Sequence, residues 1–336
     1  MIIFLQPTIA HYRKEFYENI AYPFTMLSAN DGKDLKIINK KETILVKKTQ
    51  FFRLKYYHIF KALFQIKPKL VITFGEVKLI NNFIFIFFKY FFGFKVIFWS
   101  QGLQFNRGLR TPFLKFLFDF SDGVMFYTKE CYDLSNIKAP STYLNNTVSI
   151  DSKYISAKKS KNTQTINGLF ISRFSKKKKP DQLHHLMKKI YSINSAINFN
   201  IIGSGDLKPV FRESFIIDHG KVYDFSLKKE IFENSDFLFM PYFIGLSVVE
   251  CFANGLPVLT LSKDIQLHSV EYSYIKNNYN GKIFDSEEEL INFLKNVSIE
   301  ELEELGKNAR NFYNTHLQID HMYSQANKFI NEIISE

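Results

Sequence analysis

Three short blocks in this 336-residue chain carry residue types suited to chemistry on an anionic substrate. In the first, Arg173 follows the apolar run Leu169–Ile171 and precedes four lysines, Lys176 to Lys179, then Pro180 and Asp181. Arg173 and Lys178 thereby place two cations beyond a strand end. Arginine grips a diphosphate as a fork and lysine as a point charge, and such a pair stabilises a departing diphosphate. A solvated loop has the same composition, and the run itself does not favour Lys178 over Lys177 or Lys179. The second block is Gly203-Ser204-Gly205-Asp206. It lacks the dinucleotide pattern G-x-G-x-x-G, because position 208 is lysine, and it lacks a P-loop ending, which argues against NAD and ATPase chemistry. A tight turn near a nucleotide, or simply a loop, is what it supports. In the third block, 237–261, a strand ends at Pro241, a loop carries Gly245, and a helix opens at Leu246 or Ser247. Glycine lets backbone N–H groups come close to an anion, and a helix start favours phosphate. Glu250, in the first turn, can accept both hydroxyls of a ribose or merely complement the positive helix end.

The elements that must position these blocks follow from short apolar runs alternating with amphipathic ones. In the first half the strands are MIIFL, KLVITF (69–74), KVIFWS, GVMFYT and TYLNN, and the helices are YRKEFYENI, 78–91, TPFLKFLFDF and a segment from Lys129. The polar stretch 151–164 has no apolar period and reads as a linker. The second half restarts with the strands INGLFIS, INFNIIG, DFLFMP and LPVLTL, interleaved with the helices DQLHHLMKKIYS, SLKKEIFENS and LSVVECFANG, and ends in helices over 287–294, 300–313 and 320–334. This recurrence predicts an α/β fold with mostly parallel sheets and helices on both faces. The expected domains are 1–155, 165–317 and a terminal helix, 318–336, returning to the first. Ligands in such sheets bind beyond the carboxyl ends of the strands, so two Rossmann-like units facing across a cleft suit a two-substrate enzyme.

In this order, the blocks resemble the C-terminal domain of retaining GT-B glycosyltransferases of family 4 (glycosyl transferases group 1), among them bacterial capsule, lipopolysaccharide and exopolysaccharide transferases. The family's R-x4-K is matched by Arg173 and Lys178, its G-x-G by Gly203 and Gly205, and the second glutamate of its E-x7-E by Glu250. The segment Cys251 to Val258 resembles the E-A-x-A-x-G-x-P-V tail. The resemblance implies that a nucleotide sugar, UDP- or GDP-linked, binds there without a metal, its diphosphate on the two cations and its ribose on Glu250. The first glutamate of the motif is replaced by Tyr242, which cannot carry a negative charge near neutral pH. A variant pattern, P-x-x-x-G-L-S-x-x-E, fits Pro241, Gly245, Leu246, Ser247 and Glu250, with His268-x-x-Glu271 and Asn280-Gly281 after it. Pro7, His11, Tyr12 and Arg13 resemble the P-x-x-x-Y-R segment of polysaccharide transferases, where His11 and Arg13 either bind an acceptor or brace their loop. The catalytic candidates are Arg173, Lys178, His11 and Tyr242. The donor-binding candidates are Gly203, Gly205, Gly245, Leu246, Ser247 and Glu250. The function expected is transfer of a sugar to a bacterial surface-glycan precursor. The alternatives are a non-hydrolysing sugar-nucleotide epimerase and a non-catalytic scaffold of glycan assembly.

Charge and composition narrow the partners. Residues 1–160 hold 24 Lys or Arg against 11 Asp or Glu, whereas residues 161–336 hold 20 against 22, so the whole excess of +11 lies in the first half. With no zinc-finger, helix-turn-helix or ribonucleoprotein signature, nucleic acid is not expected. Lys47 to Lys95, rich in aromatics, suits an anionic membrane surface. Solubilising lysines around buried phenylalanines are the competing view. NNFIFIFFKYFFGFKVIFW (81–99) is broken by Lys89, Gly93 and Lys95 and reads as a buried helix, a glycine turn and a buried strand rather than a membrane span. Two cysteines cannot form a disulfide framework, and the N-terminus lacks a signal-peptide pattern. The expected location is therefore cytoplasmic, peripheral on the inner membrane face. The acceptor expected there is a glycan or lipid-linked saccharide.

Overall fold

The structure, a computed structural model, describes residues 1–7, 9–29, 43–104, 110–156, 165–261 and 267–335. The chain divides into two compact units, one of residues 1–149 with 318–336 and the other of residues 150–317.

Unit 1 is built on β1 (Ile2–Gln6), α1 (Lys14–Glu18), β2 (Phe24–Ser28), β3 (Thr43–Leu45), β4 (Lys48–Phe51), β5 (Leu54–Tyr57), α2 (Phe60–Ile66), β6 (Leu70–Phe74), α3 (Ile80–Phe92), β7 (Lys95–Ser100), α4 (Arg110–Asp119), β8 (Gly123–Phe126), α5 (Lys129–Asp133) and β9 (Ser141–Tyr143). Seven of these strands form a parallel sheet in the order β3-β2-β1-β6-β7-β8-β9. The order reverses direction between β1 and β6, the crevice where open α/β sheets receive ligands. Strands such as Ile2–Gln6 are buried at every position, which is why they read as continuous apolar runs rather than alternating ones.

The sequence pattern missed the antiparallel pair β4–β5. No Gly, Pro or Asn marks its tip; Phe52 takes the left-handed conformation there instead (φ 51°). A second correction concerns 81–99. The helix does end at Gly93 (φ 67°) and a buried strand does follow, but α3 is not a buried helix. Phe87, Phe88, Tyr90 and Phe91 are exposed, and Lys89 is buried.

Unit 2 contains β10 (Ile166–Ile171), α6 (Pro180–Ile193), β11 (Ile197–Ile202), β12 (Ile216–Asp218), α7 (Phe225–Glu233), β13 (Phe237–Phe239), α8 (Ser247–Ala253), β14 (Val258–Leu261), β15 (Gly281–Phe284), α9 (Glu287–Asn296) and α10 (Ile299–His316). Its parallel sheet runs β12-β11-β10-β13-β14-β15, with the switch point between β10 and β13. The stretch read as a linker is only partly so. Ser152–Tyr154 forms a 3-10 turn, Tyr154 stacks on Phe225 of α7 at 4.8 Å, and Lys229 donates to the Lys153 carbonyl. The rest, 157–164, lies outside the described residues.

The last helix, α11 (Ile319–Ser335), belongs to unit 1. Met322, Ala326, Phe329, Ile330 and Ile333 join the core of Ile2, Phe4, Phe16, Met26 and Trp99. Asn327 and Asn331 accept hydrogen bonds from the Ala21 N–H and the Tyr22 hydroxyl. Among the described residues, no helix is long and apolar enough to cross a membrane.

Candidate functional site

In unit 2 the segments that leave β10 and β13 border the switch point. After β10, Arg173 is exposed, and no hydrogen bond or ion pair of its guanidinium is found among the described residues. The chain then makes a 3-10 turn at Lys176–Lys178, and Lys179 adopts the left-handed conformation (φ 45°) before Pro180 opens α6. That turn distinguishes the four lysines. Lys176, Lys177 and Lys179 stay exposed, whereas Lys178 is turned inward and is 6% exposed.

The ammonium of Lys178 donates to the Phe243 carbonyl at 2.7 Å and lies 4.8 Å from the Phe243 ring. Burial pushes its pKa down to about 7, against the opposing pull of the Glu271 carboxylate. Glu271 is itself buried, as is His268. The Ile244 N–H donates to Nδ1 of His268 at 3.0 Å, which fixes the tautomer with its proton on Nε2. The Ser269 N–H donates to the Ile244 carbonyl at 3.1 Å. The segment His268-x-x-Glu271, flagged by the sequence only as part of a variant pattern, thus ties to the loop after β13 through His268 and Ser269 and acts on Lys178 through the Glu271 charge.

Within that loop, Tyr242 turns its hydroxyl to Glu287, the first residue of α9, and donates to its Oε1 at 2.7 Å. Burial and this hydrogen bond raise the phenol well above its ordinary range. A carboxylate therefore stands beside the tyrosine that replaces the motif's first glutamate, supplied from a position no sequence spacing points to. Gly245 has no left-handed backbone, and a Cβ placed on it would meet only the Phe243 ring, at 3.9 Å. Leu246 and Ser247 are half-buried at the start of α8. Glu250 is half-buried and pairs through Oε1 with Lys228 of α7 at 2.6 Å. Lys228 had no signal in the sequence, since its partner lies on another helix.

Gly203 and Gly205 form the tight turn that their pattern suggested. Both have positive φ (154° and 150°), and a Cβ on either would overlap the carbonyl oxygen of Ser172 or Phe174. The Phe174 N–H donates to the Ser204 carbonyl at 2.9 Å, and the Ser172 N–H to the Ile202 carbonyl at 3.0 Å. The turn is the floor against which the Arg173 segment lies. Lys208, next to it, donates to the Gly203 carbonyl and pairs with Asp218 at 2.6 Å.

His11 belongs to unit 1, where it opens the 3-10 turn His11–Arg13 after β1. Arg13 is buried. Its guanidinium lies 4.2 Å from the Trp99 ring and donates to Asn146 Oδ1 at 2.6 Å, so it braces the strand ends.

Residues 151–312 match the family model of glycosyl transferases group 1. A sequence comparison with curated proteins gave no match. The fold is similar to that of Anabaena Alr3699/HepE, solved in complex with UDP and glucose, at 10% identity and a TM-score of 0.69 over 98% of this chain and 99% of that one. It is similar to a glycosyltransferase from Rickettsia africae ESF-5 at 12% identity and 0.69, over 100% and 98%. It is also similar to the pneumococcal O-GlcNAc transferase GtfA, solved with UDP and GlcNAc, at 14% and 0.61, over 86% and 63%. At these identities the structural likeness shows the fold, that of GT-B glycosyltransferases with two Rossmann-like domains.

Proposed function

We propose that this glycosyltransferase moves a sugar from a UDP-sugar to a lipid-linked precursor of a bacterial surface glycan, with retention of configuration, at the inner face of the cell membrane. The observation that carries the donor half is the switch point of unit 2, where an outward Arg173 and an inward Lys178 follow one strand and Lys178 is bonded to the loop after the other. In this reading the two cations, rather than a metal, neutralise the departing diphosphate. Glu250 accepts the ribose hydroxyls, and the acceptor attacks the face the diphosphate leaves. UDP is favoured over GDP because similar structures from Anabaena and pneumococcus hold UDP. The acceptor half is supported by the resemblance of 7–13 to polysaccharide transferases and by the basic first half of the chain.

The test is turnover of a panel of UDP- and GDP-sugars with lipid-linked acceptors, together with UDP titration of Glu250→Ala. Hydrogen bonds to a charged group contribute about 1.5–3 kcal/mol, so the variant should bind UDP roughly 10- to 100-fold more weakly. Equal UDP affinity would move Glu250 to a role in pairing Lys228, and a donor panel without transfer or hydrolysis would overturn the enzyme's proposed substrate class.

Lys178 gives the proposal a pH signature. Its ammonium form is half-populated near pH 7 in the free protein, and a diphosphate binds that form. UDP affinity should therefore be highest below pH 7 and fall as pH rises above it, by at most about tenfold per unit. The stability of the free protein should move the other way. Between pH 7 and the ordinary lysine range the unfolded chain binds more protons at this group than the folded one, so stability rises with pH. UDP titrations from pH 6.5 to about 9 check this, with Lys178→Met as the control for ionisation of the nucleotide itself; a profile unchanged in that variant would assign the dependence elsewhere.

A further inference from the structure

α3 is inverted relative to a surface helix of a water-soluble sheet protein. Lys89, its only charged residue, points inward and donates to the Phe120 carbonyl at 2.9 Å and to both Asp122 oxygens at 3.0 Å. Phe85 is buried, but four other aromatic residues point outward, with Phe87 66%, Tyr90 84% and Phe91 83% exposed and Phe88 also exposed. These rings are not isolated. Phe92 contacts Phe60 and Phe64 of α2, as well as Phe88 and Phe91. Phe87 meets Phe116 of α4, which meets Phe120. Phe60, Phe64, Phe113 and Phe120 are exposed too. Single exposed apolar side chains need no explanation, but a connected aromatic surface across three helices marks an interaction face.

Its charge selects the occupant. Residues 43–104 hold ten Lys or Arg and one carboxylate, Glu76. Glu76 is paired with Lys55 at 3.4 Å, Asp119 with Lys115 at 2.9 Å and Asp122 with Lys89. Exposed Lys61, Lys67 and Lys69 border α2. A second copy of this face would set like charges against each other. A surface apolar at depth and anionic at its boundary complements both features.

We infer that the α2–α3–α4 face docks on an anionic lipid bilayer. Phe87, Phe88, Tyr90 and Phe91 enter the boundary between headgroups and acyl chains, and Lys61, Lys67 and Lys69 meet the headgroup charge. This gives the membrane reading above its surface and rests on it, but not on the chemistry of unit 2.

The experiment is sedimentation with phosphatidylcholine vesicles, with and without phosphatidylglycerol, at low and high salt. Phe88→Ser/Phe91→Ser and Lys61→Glu/Lys67→Glu alter exposed side chains only, and an unchanged thermal midpoint verifies their fold. Each pair should lower binding to the anionic vesicles about tenfold or more, and salt should weaken the wild type but not restore the variants. Trp99 is the only tryptophan and is buried, so Phe91→Trp adds one outward reporter, whose emission should shift to the blue and be quenched by brominated lipid. Wild-type binding that both pairs retain in full overturns the assigned face and leaves the membrane reading standing. No binding of the wild type to anionic vesicles overturns both. A dimer in sedimentation velocity that Phe88→Ser/Phe91→Ser dissolves, without vesicle binding, replaces the bilayer by a second copy.

Discussion

Lys178→Ala lowers kcat/KM for the donor by about 10²–10³-fold, the loss typical of removing one preorganised group that stabilises developing charge. The expectation rests on position more than on residue type. Three of the four adjacent lysines are exposed, where water screens them; Lys178 alone is buried, with its ammonium 2.7 Å from the Phe243 carbonyl. Alanine removes a charge from a poorly solvated position and also the tie on the loop after β13. The two losses separate by measurement. If Lys178 only tied the loop, the thermal midpoint would fall while the folded protein kept its UDP affinity. If it meets the diphosphate, UDP affinity and kcat fall together, and Lys177→Ala, a change at an exposed neighbour, does neither. Lys178→Arg should not restore activity, because the larger fork must fit a buried site shaped for a narrow stem.

The largest effect on stability belongs to Gly203→Ala. The added Cβ would overlap the Ser172 carbonyl oxygen, and the backbone would keep a φ of 154° that side chains rarely adopt. Both obstacles are backbone, so neither can yield by a rotamer change. The destabilisation should exceed about 4 kcal/mol, the range reserved for a named mechanism of this kind, and denaturant unfolding or loss of soluble protein measures it. Gly205→Ala meets the Phe174 carbonyl oxygen and should behave alike. Gly245→Ala is the contrast. Only the Phe243 ring lies near, at 3.9 Å, so stability should change by about 0.5 kcal/mol or less. Any loss of nucleotide affinity there would then report an anion close to the loop backbone.

These glycines also show what a sequence can and cannot convey. G-x-G was legible as a turn, because positive φ is written into residue type. That the turn supports the Arg173 segment was not, since the contact joins two strand ends distant in sequence. β2, though buried throughout, was not read as a strand, whereas β1, β6, β7, β8, β10, β11, β13 and β14 were legible as apolar runs. β12, with two exposed residues of three, and the hairpin β4–β5, with a phenylalanine at its tip, had no such signature. Arg173 and Lys178 were legible as a pair, but only the 3-10 turn and the left-handed Lys179 separate Lys178 from its neighbours. Glu287 and Lys228 were invisible because each acts on a residue far along the chain, Tyr242 and Glu250. The phenylalanines of α3 misled for another reason. Helical periodicity identifies the apolar face but assumes that water lies on the other side.

The return of α11 to unit 1 sets an order on synthesis. All of unit 2 has been synthesised once Leu317 has been added. Unit 1, although begun first, still lacks Met322, Phe329, Ile330 and Ile333, which lie against Phe4, Phe16 and Trp99. Domains generally fold as units in the direction of translation, yet here the earlier half must wait for the later one. Its sheet remains open on the α11 side until the terminal helix has been made, and a released chain truncated before Ile319 should expose unit 1, not unit 2, to protease.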